Sequence, residues 1–561
     1  MRKRKTTDGI VVNAFAGTHV VSLGFDLSAA RRRHCLGFAV QRDDHTEDER
    51  YWMTGAKTFA ETDPGLGPGG QASSRLHPFQ GFQWSDYSAK PDHDYTYTVI
   101  PVYGKPAKLT YGPRASVRIR TEQELAKPHS VFFNRGSVAS QEYARRFQDK
   151  PPSKLQGAQR DAAYRWLSRG LEEALLAFIA RATGKDYGLY GAVYEFQWPH
   201  PLDALRDAAK RGATVQIVYD AIVSKTGPKE KNVSAIETAG IGSLCKPRTR
   251  GKIMHNKFLV LTRKDKPVAV WTGSTNFTEN GVFGHMNCGH IVDDAGVAAD
   301  YLEYWKKLRD DPESDAEKDW IGEHNPRPPD PWDSDLTTVF SPHRGDKVLD
   351  WYRDIAASAK HALFMTFAFG MQERFKNVYR TDDDVLRFAL MEKEGTGRTL
   401  EKSRKEIREI RRRRNVVVAI GKRIEVNSFD RWLREMGALS AEINVHWVHT
   451  KFMLVDPLSK SPTVVTGSAN FSEASTDTND ENMLVIRGDT RVADIYLGEF
   501  MRVWSHYAFR EAVANAHAAG DTSWHPEHLD PGPDWQADHF KPGDDRFLRR
   551  EYFAHGRPAS G

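Results

Sequence analysis

Between residue 10 and about 120 the chain alternates apolar and polar positions with a period of two. The short runs HVVSLGFDL, HCLGFAVQRD, RYWMTGAKTF, FQGFQWSDY, YTYTVIPVYG and ASVRIRT are parted by turn formers. That pattern predicts the antiparallel strands of an all-β sandwich over residues 1–125. The segment DPGLGPGGQASS (63–74) suits neither a helix nor a central strand and is predicted as a loop. From Gln159 the period lengthens. Ala163, Trp166, Leu167, Leu171, Ala174, Leu175, Phe178 and Ile179 fall on one face of a single predicted helix. A strand LYGAVYEF (189–196), a helix from Pro201 to Gly212 and a strand TVQIVYD (214–220) follow. Strands alternating with helices predict an α/β layer with a largely parallel sheet.

The order then returns. A helix from Lys347 leads to a strand at 361–370, a predicted helix DDVLRFALME (383–392) and a strand NVVVAI (415–420). Self-similarity over roughly 200 residues means two copies of one domain rather than a solenoid. The stretch from about 310 to 340, rich in proline and acid, reads as the linker. The expected domains are residues 126–325 and 326–515, with 516–561 a tail that carries no chemical signal. The run EKSRKEIREIRRRRN (401–415) reads as a solvated helix in preference to a polyanion groove.

Composition narrows this little. Eighty Lys and Arg against 75 Asp and Glu leave a net charge of +5, so charge alone assigns no polyanionic partner. Cys35, Cys245 and Cys288 lie too far apart for a zinc ribbon or a disulfide framework, which favours a reducing compartment. No run approaches the ~20 apolar residues of a membrane span, nor does the basic amino terminus lead into a signal-peptide core. The expectation is a cytoplasmic protein without a transmembrane segment, with Arg2 to Lys5 a solvated tail.

The chemistry lies in two matching segments, MHNKFLVLTRKDKPVAVWTGSTNFT (254–278) and VHTKFMLVDPLSKSPTVVTGSANFS (448–472). Each holds His-x-Lys, an apolar strand, a turn, a second strand and Gly-Ser-x-Asn-Phe, with 18 residues from histidine to glycine. Period-two geometry puts His and Lys on one face, and a hairpin return brings Ser and Asn beside them. The sets are His255, Lys257, Ser274 and Asn276, and His449, Lys451, Ser468 and Asn470. Lysine can neutralise phosphoryl oxygens, Ser and Asn can donate to the charge developing there, and one histidine can attack while a second protonates the departing oxygen.

These residues resemble the phospholipase D superfamily, whose motif is His-x-Lys, four residues, Asp, then Gly-Ser-x-Asn. The resemblance spans roughly residues 130–510, and the second copy is complete, with Asp456 and Gly467. The first has Thr262 where the acid would stand, the nearest being Asp265. The resemblance implies two tandem α/β/α sandwich domains meeting at a pseudo-twofold interface. It also implies a metal-independent, two-step transfer through a phosphohistidine, with no cofactor. Thirty-two residues after each histidine stand Asn287 and Glu481, where the family places the residue that bonds the far ring nitrogen. The expectation pairs His255 with Asn287 as nucleophile and His449 with Glu481 as general acid and later base. Separately, Tyr95 to Val99 followed by PVYG resembles the late strand of a fibronectin type III domain.

The remaining histidines, including His285, His290, His446 and His506, are expected to be structural or superficial, and Met365, Phe367 and Phe369 to be core. For the substrate, nucleic acid stands ahead of a phospholipid headgroup, with a gated or inactive phosphodiester-binding protein as a further alternative. Both half-sites lie in one chain, so a monomer is expected to suffice.

Overall fold

In the computed structural model the β-strand alternation at the amino terminus builds two sheets around one core. Residues 67–69, 137–139, 149, 151, 329–331, 333, 396–399, 422–447, 519–524, 526 and 557–561 are not described; all others are. Strands Arg2–Thr7, Ile10–Ala16, Val21–Leu27 and Gln83–Asp86 form an antiparallel sheet in that order. The second sheet runs Lys108–Tyr111, Asp94–Lys105, Gly37–Asp44, Glu49–Trp52, with Ala115–Arg120 also pairing with the long strand. Ile10, Val12 and Ala14 of the first sheet pack with Phe38, Val40, Tyr95 and Tyr97 of the second.

Arg2 to Lys5 correct the expected tail. They pair in register with Asn13–Phe15 and Val12, and Arg2 Nε donates to Asp494 Oδ1 at 2.8 Å. Charged side chains on an exposed edge strand hid it from the alternation rule.

Two seven-stranded sheets follow with the same strand order. The first runs His129–Phe133, Cys288–Val292, Lys266–Gly273, Lys257–Arg263, Tyr187–Val193, Thr214–Asp220, Cys245–Arg248. The second runs Leu336–Ser341, Glu481–Arg487, Thr463–Gly467, Phe452–Val455, Ala362–Phe367, Leu386–Met391, Val416–Ile420. The predicted helix at 383–392 is thus a strand, parallel to its neighbours on both sides. All six residues from Leu386 to Met391 are buried, and a strand covered on both faces reads as a continuous apolar run without alternation. Helices form instead at Glu373–Tyr379 and Leu400–Ile410.

The single helix expected from Gln159 is two, Gly157–Ser168 and Leu171–Ala180. They part at Arg169 and Gly170, whose φ values of 48° and 88° end the first helix in the left-handed region. The Arg169 guanidinium turns inward to Glu499 and the Phe133 carbonyl. One core joins the halves: Tyr304 stacks on Phe340 at 4.4 Å, and Phe133 meets Tyr496 edge-on at 5.1 Å.

The carboxyl-terminal segment is more than a tail. Helix Asp545–His555 buries Tyr552 and Phe553 against Phe364 and Phe388. Gly24 is what lets it close: a Cβ there would stand 2.1 Å from the Phe553 carbonyl oxygen. Among the described residues no helix is long and apolar enough to cross a membrane.

Candidate active site

Each His-x-Lys stands at the entry to its central strand. Its lead-in is held by a buried carboxylate, Asp220 Oδ2 accepting from Met254 N at 2.8 Å and Glu392 Oε2 from Val448 N at 2.9 Å. Two isolated β-bridges cross between the halves, Met254 with Asp480 and Met286 with Val448. His255 N also donates to the Asp480 carbonyl at 2.9 Å. Since each bridge joins the residue before a histidine to the residue before the other half's Asn287 or Glu481, the partners must cross.

They do. His255 Nδ1 lies 2.9 Å from Glu481 Oε2, and His449 Nδ1 lies 2.8 Å from Asn287 Oδ1. The expected pairs, His255 with Asn287 and His449 with Glu481, are therefore exchanged. Counting along the chain finds equivalent positions, whereas the pseudo-twofold contact decides which faces which. Asn287 is oriented by its own bonds: Nδ2 donates to the Gly281 carbonyl at 2.7 Å, and Oδ1 accepts from Ser274 Oγ at 2.8 Å. His449 must then carry a proton on Nδ1, which leaves Nε2 as the nitrogen for chemistry.

The serines are turned inward. Ser274 Oγ also accepts from Cys288 N, and Ser468 Oγ accepts from Asn482 N, at 3.1 and 3.0 Å. Both hydroxyls fix the return strand and the histidine partners; the expected donation into the pocket is replaced by this bracing. Gly273 precedes Ser274 at φ 129°, and a Cβ there would meet the Cys288 carbonyl oxygen at 2.3 Å. Asp456, the acid that the first copy lacks, accepts from the amides of Lys360, His361 and Ala362 and so secures the start of the neighbouring strand.

Lys257 and Lys451 are fully buried, and each Nζ donates to the carbonyl of the histidine two residues before it. Burial pushes both ammoniums below their ordinary range, and Lys257 adds to the fall at Lys451, while Glu481 and Glu195 pull both back up. Burial takes His255 down to about 4, opposed by Glu481 and reinforced by Lys257. Burial also takes His449 well below its ordinary value, helped by Lys451, His285, Lys257 and His255. Burial works against Glu481, but His255, Lys257 and a bond from Ser468 keep its carboxylate below the usual range.

Sequence reasoning missed three neighbours. The His285 ring lies 5.5 Å from that of His449. Tyr194 stands edge-on to His255 at 5.0 Å, with Lys257 Nζ 5.1 Å from its centroid. Asn276 Nδ2 donates to the Glu195 carboxylate. Tyr194 and Glu195 immediately follow Val193, which pairs with Lys257, so the register of that strand pair was the available signal. The buried Oδ1 atoms of Asn276 and Asn470 have no hydrogen-bond partner among the described residues. His290 belongs to the core, 3.0 Å from His129, and His446 lies outside the described residues.

The family described as "Cardiolipin synthase, PLD-like domain" matches residues 175–309 and 355–504, one segment in each half and just over half of the chain. The chain belongs to the phospholipase D superfamily. Both of its motifs lie in one polypeptide. No curated protein matches its sequence. Among solved structures it is similar to the phosphatidylserine synthase of Haemophilus influenzae, at 11% identity and a TM-score of 0.43, over 63% of this chain and 92% of that one. It is also similar to Nuc, a phospholipase D family member from Salmonella typhimurium, at 26% identity and a TM-score of 0.21, over 25% and 87%. The polyphosphate kinase of Porphyromonas gingivalis matches at 12% identity and a TM-score of 0.36 over 58% of this phospholipase D-like chain, which spans only 46% of the kinase.

Proposed function

We propose that the protein is a nuclease that hydrolyses nucleic-acid phosphodiesters through a phosphohistidine, with His255 as nucleophile and His449 as acid and then base. The observation that carries the assignment is the unequal pair of crossed partners. Attack by Nε2 of His255 on phosphorus forms an N–P bond and leaves the ring cationic, which the Glu481 carboxylate at Nδ1 stabilises. The P–O bond to the leaving group breaks, and that oxygen takes the proton from Nε2 of His449, which becomes protonated when the anionic phosphodiester offsets the neighbouring cations and, with only an amide partner, releases it readily. His449 then accepts a proton from water, the water oxygen attacks phosphorus, and the N–P bond breaks to restore His255. Lys257, Lys451, Asn276 and Asn470 meet the charge on the phosphoryl oxygens. The order expected from the sequence is kept, for the opposite electrostatic reason.

Nucleic acid is favoured by what surrounds the pocket. Phe369, expected as core, lies beyond the end of its strand and is 46% exposed, with Lys393 Nζ 5.1 Å from its ring centroid. An aromatic face beside a cation suits a base and its phosphate. Lys252, three residues before His255, is also exposed. The dense arginines serve elsewhere: Arg411 pairs with Glu511 and Arg414 with Asp384. A monomer working in the cytoplasm fits two half-sites in one chain and three unpaired cysteines.

The test is product formation from labelled single-stranded DNA, duplex DNA, RNA and phosphatidylcholine vesicles in EDTA, for wild type, His255→Ala and His449→Ala. Strand cleavage that survives EDTA and vanishes in both variants is the expected result. Headgroup release without strand cleavage would transfer the protein to the phospholipases.

A further inference from the structure

Besides Asn287 against Glu481, the two halves differ at a further point beside the histidines. The strand Tyr187–Val193 pairs antiparallel with Lys257–Arg263, Val193 opposite Lys257, and Glu195 follows two residues later. In the second half Leu363 pairs with Val455 and Met365 with Met453. Continuing that register sets Phe367 opposite Lys451 and Phe369 where Glu195 stands. One half therefore carries a carboxylate at this register position, and the other a phenylalanine that is exposed.

Glu195 is placed on the phosphate-binding apparatus. Its carboxylate accepts from Asn276 Nδ2, the donor of the first Gly-Ser-x-Asn motif. That amide is held from its nitrogen side, since its buried Oδ1 has no partner among the described residues. Burial raises the Glu195 carboxyl above the ordinary range, against the pull of Lys257, Asn276, Lys231 and Lys451, and burial, with Glu195 adding to it, also holds the Tyr194 hydroxyl high. Glu195 holds one N–H of Asn276 and lies in the field of Lys257 and Lys451, so its negative charge stands where a phosphoryl group would be received, and two anions there repel.

We propose that Glu195 is a specificity-determining residue: its carboxylate holds the Asn276 amide in the free protein and opposes the negative charge of the phosphoryl group that the same amide receives. The inference rests on the phosphodiesterase reading of this site. An internal anion opposes a phosphodiester, with one negative charge, less than it opposes a phosphomonoester, which carries close to two at neutral pH. Glu195 then favours diesters over monoesters and, by repelling the second charge gained on hydrolysis, helps expel the monoester product.

The test uses the full chain and Glu195→Gln, which keeps the shape and removes the charge, with Glu195→Ala as a second variant and circular dichroism to confirm folding. Affinity is measured calorimetrically at one alkaline pH for inorganic phosphate, a dianion there, and dimethyl phosphate, a monoanion. Both variants should bind inorganic phosphate at least about tenfold more tightly than wild type, with a smaller gain for dimethyl phosphate. Inhibition by the monoester product should deepen in parallel, at a KM for the diester that falls or holds. Equal phosphate affinities, no measurable binding by any form, or the same gain for both anions overturns the inference. Because the probe is inorganic phosphate, the result does not depend on which diester is cleaved. A protein that tightens on phosphate in Glu195→Gln but releases only lipid headgroups refutes the nuclease reading and leaves this one standing.

Discussion

His255 Nδ1 stands 2.9 Å from Glu481 Oε2 across the boundary between the halves, and His449 Nδ1 stands 2.8 Å from Asn287 Oδ1 across it in the other direction. Neither half holds a histidine together with the partner that orients it. The bridges from Met254 to Asp480 and from Met286 to Val448 make that exchange a property of the backbone, so the chemistry depends on the docking of two similar domains.

The crossed pairs predict where a covalent intermediate collects. With a p-nitrophenyl phosphodiester, whose leaving group needs no acid, His449→Ala should complete the first step and stall at the second. A burst of about one nitrophenol per chain should appear, with the phosphoryl label on the peptide containing His255. No burst from His449→Ala, with a burst from His255→Ala that labels the peptide containing His449, would reverse the assignment of roles.

Asn287→Asp tests the charge on the other side. Four cationic or ionisable neighbours and burial hold His449 low, and its amide partner adds no charge. A carboxylate at that position favours the protonated ring, so the imidazolium survives to higher pH. The alkaline limb of kcat should move up by about 1–2 units, while maximal kcat falls roughly tenfold because the acid is weaker. The bond from Asn287 Nδ2 to the Gly281 carbonyl is lost as well, which a thermal melt will register. A limb that stays where it was refutes the role given to His449.

Arg248 locks the halves beneath the site. Its guanidinium reaches Asp480 at 3.0 Å, Glu317 at 2.5 Å and Asp311 at 2.9 Å, all but Asp311 essentially without exposure. Burial pushes Asp480 up to about 6 even with Arg248 beside it. Arg248→Met leaves buried carboxylates unpaired and should cost about 3–5 kcal/mol at pH 8. An acid whose folded value is raised is penalised while ionised, so the loss should shrink as pH falls through 6 and Asp480 and Glu317 take up protons. Urea unfolding at pH 8 and pH 5 measures this, and an equal loss at both would discount the carboxylates.

Much of this architecture was legible before folding, because the α/β repeat and its two motifs are written in local spacing. Strands at 187–193, 214–220 and 416–420 fall where apolar runs announce them. Leu386–Met391 deceived because burial on both faces erases the alternation that marks a strand. The break at Arg169 and Gly170 is invisible to a face count, since the apolar stripe continues across it. At the site the same limit recurs. Spacing finds His255, His449, Asn287 and Glu481, but only the contact between halves shows which pairs form. Glu195 carries no motif of its own and is found through the strand opposite Lys257.

The carboxyl-terminal helix gives the last prediction. Phe553 is fully buried, its ring 6.2 Å from Phe388 and 6.3 Å from Phe15, so it ties the second α/β domain to the amino-terminal sheet. Phe553→Ala should cost about 3–5 kcal/mol through the cavity it leaves. Gly24→Ala attacks the same contact from the other side, forcing the helix away from the strand without removing an apolar atom. If the helix is integral to the fold, both variants should lower the melting temperature of a single cooperative transition that includes the active-site domains. An early transition that leaves the main one unmoved would mean that the catalytic halves stand without it.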